Sequence, residues 1–222
     1  MRNSFLRFTF YVSRIMKRRL NLDNYLMNNP IREMIQRKFV ANYMLKASKP
    51  MDDYLCLEIG CGRGVGAKVI IGMFGARRVI AFDVDFSQIR RAMKYVARRN
   101  LLWKVSLFVG DAERLSFTDN TFDAVFDFGV LHHVLDWRAA LKEVKRVLKS
   151  EGYFLFEEPT KPILSLPLIK RLLDHPDEGL FTADEFKMAL REAGFTLRSF
   201  KQADGIFIQG VGFSTCVTSL TG

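Results

Sequence analysis

Between Cys56 and Ile71 the chain reads CLEIGCGRGVGAKVII, with Gly60, Gly62, Gly64 and Gly66 at every second position. A backbone this bare of side chains allows a turn with dihedrals closed to other residues, and lets a ligand lie against the main chain. No Gly-Lys-Ser/Thr ending follows, which excludes the phosphate-cradling loop of that type. Acids surround the glycines. Asp83 lies 23 residues after Gly60, the spacing at which a carboxylate takes both ribose hydroxyls of a bound nucleoside. Asp85, in the same Asp-Val-Asp run, is the alternative. Glu58 interrupts an apolar run two residues before Gly60; it is either a strand-end acid in water or a carboxylate facing a cationic ligand, directly or through solvent. Asp111, in FVGDAERLSF, is placed to accept from an exocyclic amine. A nicotinamide dinucleotide would use some of the same groups, but Val65 stands where the third glycine of G-x-G-x-x-G belongs.

The elements that must position these residues alternate between short apolar runs and amphipathic ones. YLCLEI, RVIAFDV, KVSLFVG, FDAVFDFGV and EGYFLFEEP read as strands. GAKVIIGMF, FSQIRRAMKYVARRN, DWRAALKEVKRVLK and TADEFKMALREAGF read as helices. Asp136 is the expected N-cap of the third helix, and Thr182 with Glu185 forms a capping box on the fourth. TLRSFKQ and IFIQGVGFSTCVTSL have no helix between them and are expected to close the sheet as an antiparallel pair. The alternation predicts an α/β fold, a mostly parallel sheet with helices on both faces. The glycine turn then sits at the carboxyl end of the first strand, where open α/β sheets bind their ligands.

The 222 residues are 49% hydrophobic, enough for one packed core. Cys56, Cys61 and Cys216 form no C-x-x-C pair and there are only three histidines, so a zinc site is not expected and reduced thiols in a cytoplasmic protein are. No apolar run reaches the roughly 18–20 residues of a membrane span. Residues 1–50 hold eleven Lys or Arg against two acids, whereas 51–222 hold 23 against 22. The division is therefore a basic helical extension over 1–50 and an α/β domain over 51–222. A body so nearly neutral argues against a nucleic-acid grip. In the extension Phe5, Phe8, Val12 and Ile15 follow one helix face and Arg7, Arg14 and Arg18 another. That pattern suits a helix packed on the body, an anionic membrane surface as partner of residues 1–28, or an organellar transit segment. A second helix is expected after Pro30, capped by Asn28 or Asn29, and KASKPMDD is the linker.

LEIGCGRGVG, IAFDVD, GDAERLSFTDNTFDAVFDFGVLHHV and EVKRVLKSEGYFLFEE, in that order, resemble the class I S-adenosylmethionine-dependent methyltransferases, most nearly the small-molecule and quinone branch. The resemblance is close over residues 50–158 and loose beyond. It implies a Rossmann-like seven-stranded sheet whose last strand is antiparallel, with S-adenosylmethionine as cofactor. It also implies that Gly60, Gly62 and Gly64 cradle the methionine part, that Glu58 orients its amino group and that Asp83 holds the ribose. Asp111 with Ala112 would read the adenine edge, and Phe128 and Gly129 would end the fourth strand beside the sulfonium. Cys61, Val84 and Gln88 join this cofactor set. Ser150-Glu151-Gly152 replaces the family's proline-glycine turn.

What the resemblance implies for chemistry is an in-line methyl displacement, for which the protein aligns the acceptor and excludes water. A general base is needed only where the acceptor must lose a proton. His132 and His133 are the candidates, with His133 favoured to face the substrate and a purely structural role the alternative. Of Glu157 and Glu158, one is expected to face the cavity and one to cap a loop; Glu157 is the catalytic candidate. Asp127 could engage a neighbouring helix, and His175 reads as a loop residue. The apolar, proline-broken insert PTKPILSLPLIKRLLDHPDEGLF would wall an apolar or aromatic small-molecule acceptor. No Asn-Pro-Pro-Tyr segment follows the fourth strand, which disfavours methylation of DNA bases or glutamine. A non-catalytic cofactor-binding module acting through its basic N-terminus is the other reading, and a nicotinamide dehydrogenase a more distant one.

Overall fold

The computed structural model describes residues 34, 36–49, 51–167 and 179–215. Seven strands form one sheet: β1 Leu55–Ile59, β2 Arg78–Asp83, β3 Val105–Val109, β4 Phe122–Phe128, β5 Leu148–Pro159, β6 Phe195–Ala203 and β7 Phe207–Ser214. Their order is β3-β2-β1-β4-β5-β7-β6. β1 to β5 pair in parallel; β7 is antiparallel to both β5 and β6. The short connection through Asp204 and Gly205, both at positive φ, forces the last two strands into a hairpin. The expected antiparallel pair is therefore present, but β7 lies inside the sheet and β6 takes the edge.

Helices cover both faces: α1 Asn42–Ala47, α2 Val65–Met73, α3 Phe86–Ala97, α4 Trp137–Val147, the short α5 Lys161–Leu164 and α6 Ala183–Glu192. The central strands LCLEI and FDAVFDF are nearly continuous apolar runs because both sides are covered. Side chains alternate across the pleat, so Phe154 and Phe156 of β5 join Trp137, Phe181 and Phe186 on one face. Tyr153 and Leu155 join Cys56, Ile70, Phe126 and Met44 on the other. The expected caps are made: Asp136 accepts from Ala139 N at 3.0 Å, and the Thr182–Glu185 box is complete.

One expectation changes. β5 begins at Leu148, not after a glycine turn, because Leu148 already pairs with Phe122. The register then slips between Phe122 and Ala124, and the slack on β5 falls at Glu151, held at φ 64 before Gly152. The described end of the basic extension packs on the body. A π-helical turn, Gln36–Ala41, runs into α1, and Val40, Ala41 and Met44 are buried with Cys56 and Phe74 of the body. The amphipathic run around Phe5 to Arg18, the start at Pro30 with Asn28 or Asn29, His175 and Cys216 lie outside the described residues. No described helix is long and apolar enough to cross a membrane.

Candidate functional site

The chain leaves β1 toward β2 and β3 on one side and toward β4 and β5 on the other. A crevice therefore opens beyond the carboxyl ends of β1 and β4. The glycine loop lies at this switch point. Gly60, Gly62 and Gly64 have φ of 59, 50 and 87°, the last as N-cap of α2. Cys61 N donates to Phe82 O at 2.7 Å, and Gly62 N donates to Asp83 Oδ2 at 2.9 Å, so the loop is tied to the end of β2. A Cβ at Gly62 would meet nothing within 4 Å. Glycine is needed there for its dihedral, and the bare backbone faces open space. At Gly66 the reason differs: a Cβ would collide with Glu58 Oε1 and the Phe128 ring.

That collision locates Glu58. Its carboxylate lies beneath the first turn of α2, 2% exposed, taking the Ala67 backbone N–H, while Oε2 has no hydrogen-bond partner. Burial, and secondarily the Asp83 carboxylate, push its pKa well up. Asp83 is also pushed up, chiefly by burial, against the opposing backbone N–H groups of Asp85 and Gly62. Asp85 is otherwise engaged: it caps α3, accepting from Ser87 N and Ser87 Oγ, both at 2.7 Å. Asp83 is therefore the acid of the Asp-Val-Asp run that points at the glycine loop. Val84 is exposed beside it and Gln88 is buried on α3.

On the β3 side, Asp111 is exposed and accepts from Glu113 N at 2.9 Å, with Ala112 buried behind it. α4 clamps this loop. Arg146 donates to Phe117 O and Leu115 O at 2.7 and 2.9 Å, and Glu143 accepts from Leu115 N at 2.8 Å. The Arg146 hydrogen bonds hold the Glu143 carboxyl below its usual range.

Phe128 ends β4, Gly129 follows it at a bend, and a 3-10 turn, Leu131–His133, comes next. Pleat alternation puts Glu157 on the same face as Phe128, and Asp127 and Glu158 on the opposite one. Glu158, fully buried, accepts from Val130 N and Leu131 N at 2.8 and 2.6 Å, and its Oε2 lies 2.5 Å from His132 Nδ1. Asp127 Oδ1 accepts from the same Val130 N at 3.0 Å, so Asp127 braces this turn, where a neighbouring helix was the expected partner. Burial pushes both carboxyls up, Asp127 further by the neighbouring Glu158. Glu158 is thus the acid that caps the loop, and His132 is buried on it. His133 is half-buried, its ring centroid 4.0 Å from that of His132. Nothing in the local sequence separated Glu157 from Glu158, or announced the Arg146 clamp, because each depends on which strand or loop lies alongside.

A family model described as a methyltransferase domain matches residues 57–156. Over those residues, a little under half of its length, the chain is similar to the class I S-adenosylmethionine-dependent methyltransferases. Over 98 residues it is 38% identical to a sterol 24-C-methyltransferase of Aspergillus fumigatus, covering 44% of this chain and 26% of that protein. Over 145 residues it is 32% identical to a demethylmenaquinone methyltransferase of Lactobacillus johnsonii, covering 63% and 59%. The chain thus spans less than two thirds of either relative. In fold it is similar to a SAM-dependent methyltransferase from Aquifex aeolicus, TM-score 0.67 at 19% identity, covering 88% and 99% of the two chains.

The crevice fits S-adenosylmethionine, the cofactor of that family: Glu58 Oε2 is a buried oxygen without a hydrogen-bond partner, as a cationic group would need, and Gly62 faces open space where a ligand can reach the main chain. The residues singled out from sequence at β1 to β4 lie along this one rim. Glu157, two residues before the end of β5, pairs with Phe128 beside it. His132, by contrast, is turned into the Glu158 cluster.

Proposed function

We propose that this protein transfers a methyl group from S-adenosylmethionine to a small, apolar or aromatic acceptor. The observation that carries the reading is Glu58: a buried carboxylate with one free oxygen, under a bare glycine loop and against Phe128. In this reading Gly60, Cys61, Gly62 and Gly64 hold the methionine part and Glu58 receives its ammonium. Asp83 takes the ribose hydroxyls, flanked by Val84 and Gln88, and Asp111 with Ala112 meets the adenine. Phe128 and Gly129 border the reacting centre. The cofactor, when bound, supplies a methyl group already activated as a sulfonium. The chain's task is then to hold the acceptor in line and keep water out. His133, on a turn braced by Glu158 and Asp127, is the group we assign to receive an acceptor proton where one must leave; Glu157 is the second candidate.

The apolar-acceptor class draws support from the names of the relatives, a sterol and a demethylmenaquinone methyltransferase. The insert after β5 fits as a wall, since Leu164 and Phe181 at its two described ends are buried. We extend the reading to a cytoplasmic enzyme in which residues 1–50 help cover the crevice and residues 1–28 meet an anionic surface. Calorimetry with S-adenosylhomocysteine tests the cofactor site: binding near 1:1 is expected, and tight nicotinamide-dinucleotide binding instead refutes it. A screen of quinols, phenols, amines and lipids with labelled cofactor tests the transfer. Product that disappears in Gly62→Arg excludes the non-catalytic module.

A further inference from the structure

The near-neutral body hides a segregated charge. Residues 86–110 contain Arg90, Arg91, Lys94, Arg98, Arg99 and Lys104 and not one acid. Ile89, Ala92 and Val96 of α3 face the core, which leaves the cations outside. Positions 86, 90, 94 and 98 recur every four residues and form one exposed stripe, Phe86–Arg90–Lys94–Arg98. Among the described residues none of the six cations is in an ion pair. Arg63 of the glycine loop joins four of them around an open basin of about 380 Å³.

A second, independent feature flanks this face. Phe86 at the start of α3 is 64% exposed, and Leu102 and Trp103 just past its end are 50% and 75% exposed. Lys104 Nζ stands 4.9 Å from the Trp103 ring centroid. Cations along a helix with exposed aromatic and aliphatic side chains at both ends are the composition of a membrane–water interface. A helix of this length spans about 18 Å, so anchors at its two ends let it lie flat.

We propose that the outer face of α3, with the Leu102–Lys104 turn, docks on a bilayer bearing acidic headgroups. The cations meet phosphate, and Phe86, Leu102 and Trp103 enter the interface. A nucleic acid would use the cations but has no use for Leu102. This surface is separate from residues 1–28, and the proposal does not depend on methyl transfer. If both hold, Arg63 brings the rim of the cofactor crevice close to the membrane plane, and an apolar acceptor reaches it without crossing water.

The test uses the full chain with phosphatidylcholine vesicles, with and without phosphatidylglycerol. Trp103 is exposed and Trp137, the second of the two tryptophans, is buried, so a blue shift reports Trp103. Expected are sedimentation and a blue shift only with phosphatidylglycerol, weakening with salt. Each cation near the surface is worth about fivefold in affinity. The triple variant Arg90→Gln, Arg91→Gln, Lys94→Gln should therefore bind roughly 100-fold more weakly, with S-adenosylhomocysteine affinity unchanged. Trp103→Ser should lose the shift. Wild-type sedimentation by the triple variant, with residues 1–50 intact, overturns the proposal. So does the absence of Trp103 quenching by brominated lipid in the wild type, which needs no variant. Binding of single-stranded RNA that the triple variant loses, without vesicle binding, assigns the face to nucleic acid instead.

Discussion

A buried carboxyl with one unpartnered oxygen holds its proton more tightly than one in water, and Glu58 is such a group. The ammonium of the cofactor reverses this: a cation beside the carboxyl favours its ionised form. Binding should therefore expel a proton. Where Glu58 is protonated in the free protein and ionised in the complex, each pH unit of rise strengthens binding by up to about tenfold. The gain stops once pH passes the free-protein pKa. S-adenosylhomocysteine carries the same ammonium and suits the measurement. Titration calorimetry in buffers of different ionisation enthalpy should give a slope corresponding to release of up to one proton. Glu58→Gln keeps the shape but removes both charge and titration. Its slope should fall to about zero, and loss of a charge-assisted hydrogen bond of about 1.5–3 kcal/mol should weaken binding roughly 10- to 100-fold. Wild-type binding with no proton release and no pH dependence above the ordinary carboxyl value of about 4.3 would refute the reasoning. So would a Glu58→Gln variant that binds as the wild type does.

Asp83→Ala should weaken S-adenosylhomocysteine binding by about 100-fold, measured by calorimetry. Asp85→Ala should leave binding near wild type but lower stability by about 1 kcal/mol through loss of the α3 cap, read from denaturant unfolding. Arg146→Ala strips the carbonyls of Leu115 and Phe117 of their donor; stability should fall by about 2–4 kcal/mol, and amide exchange should speed up across residues 111–121. Deleting residues 1–28 should lower turnover or cofactor affinity without vesicles present if that segment covers the crevice; full-length values would leave it an appendage.

The α/β class, the strand order of events along the chain and the position of the glycine turn were legible because each rests on local period or on one residue type. The helix caps at Asp136 and Thr182 were legible for the same reason. Placement of β7 between β5 and β6 was not, since a hairpin specifies pairing between its own strands and leaves open which of them meets β5. The basic face was also missed. Summed over 51–222, acids elsewhere cancel its cations, and only the helix face of α3 brings them together. For the candidate site, spacing to the glycine loop singled out Asp83, and the fold puts it at the end of β2, where Gly62 N donates to it. Asp83 and Asp85 remained alternatives until the Ser87 contacts engaged Asp85.

Glu157 and Glu158 pose the harder case, since adjacent strand residues point to opposite faces and sequence alone does not say which face is which. With Phe128 beside Glu157 on the cofactor side, Glu158 is left in a dry cluster with Asp127 and His132. Burial raises its pKa to about 7, so the folded state holds a proton there that the unfolded chain releases near the ordinary carboxyl value of about 4.3. The sign follows: the Glu158 contribution to stability is fully present below that value and is lost by up to about 1.4 kcal/mol per pH unit as pH rises from about 4.5 toward 7. Asp127, raised in the same direction, adds to the loss. Thermal melts across this window check it, and Glu158→Gln, which carries no titrating proton, should flatten the decline. Equal slopes in the two proteins would mean that Glu158 is already ionised against His132 in the folded state, and the turn carrying His133 would then be held by an ion pair instead of a shared proton.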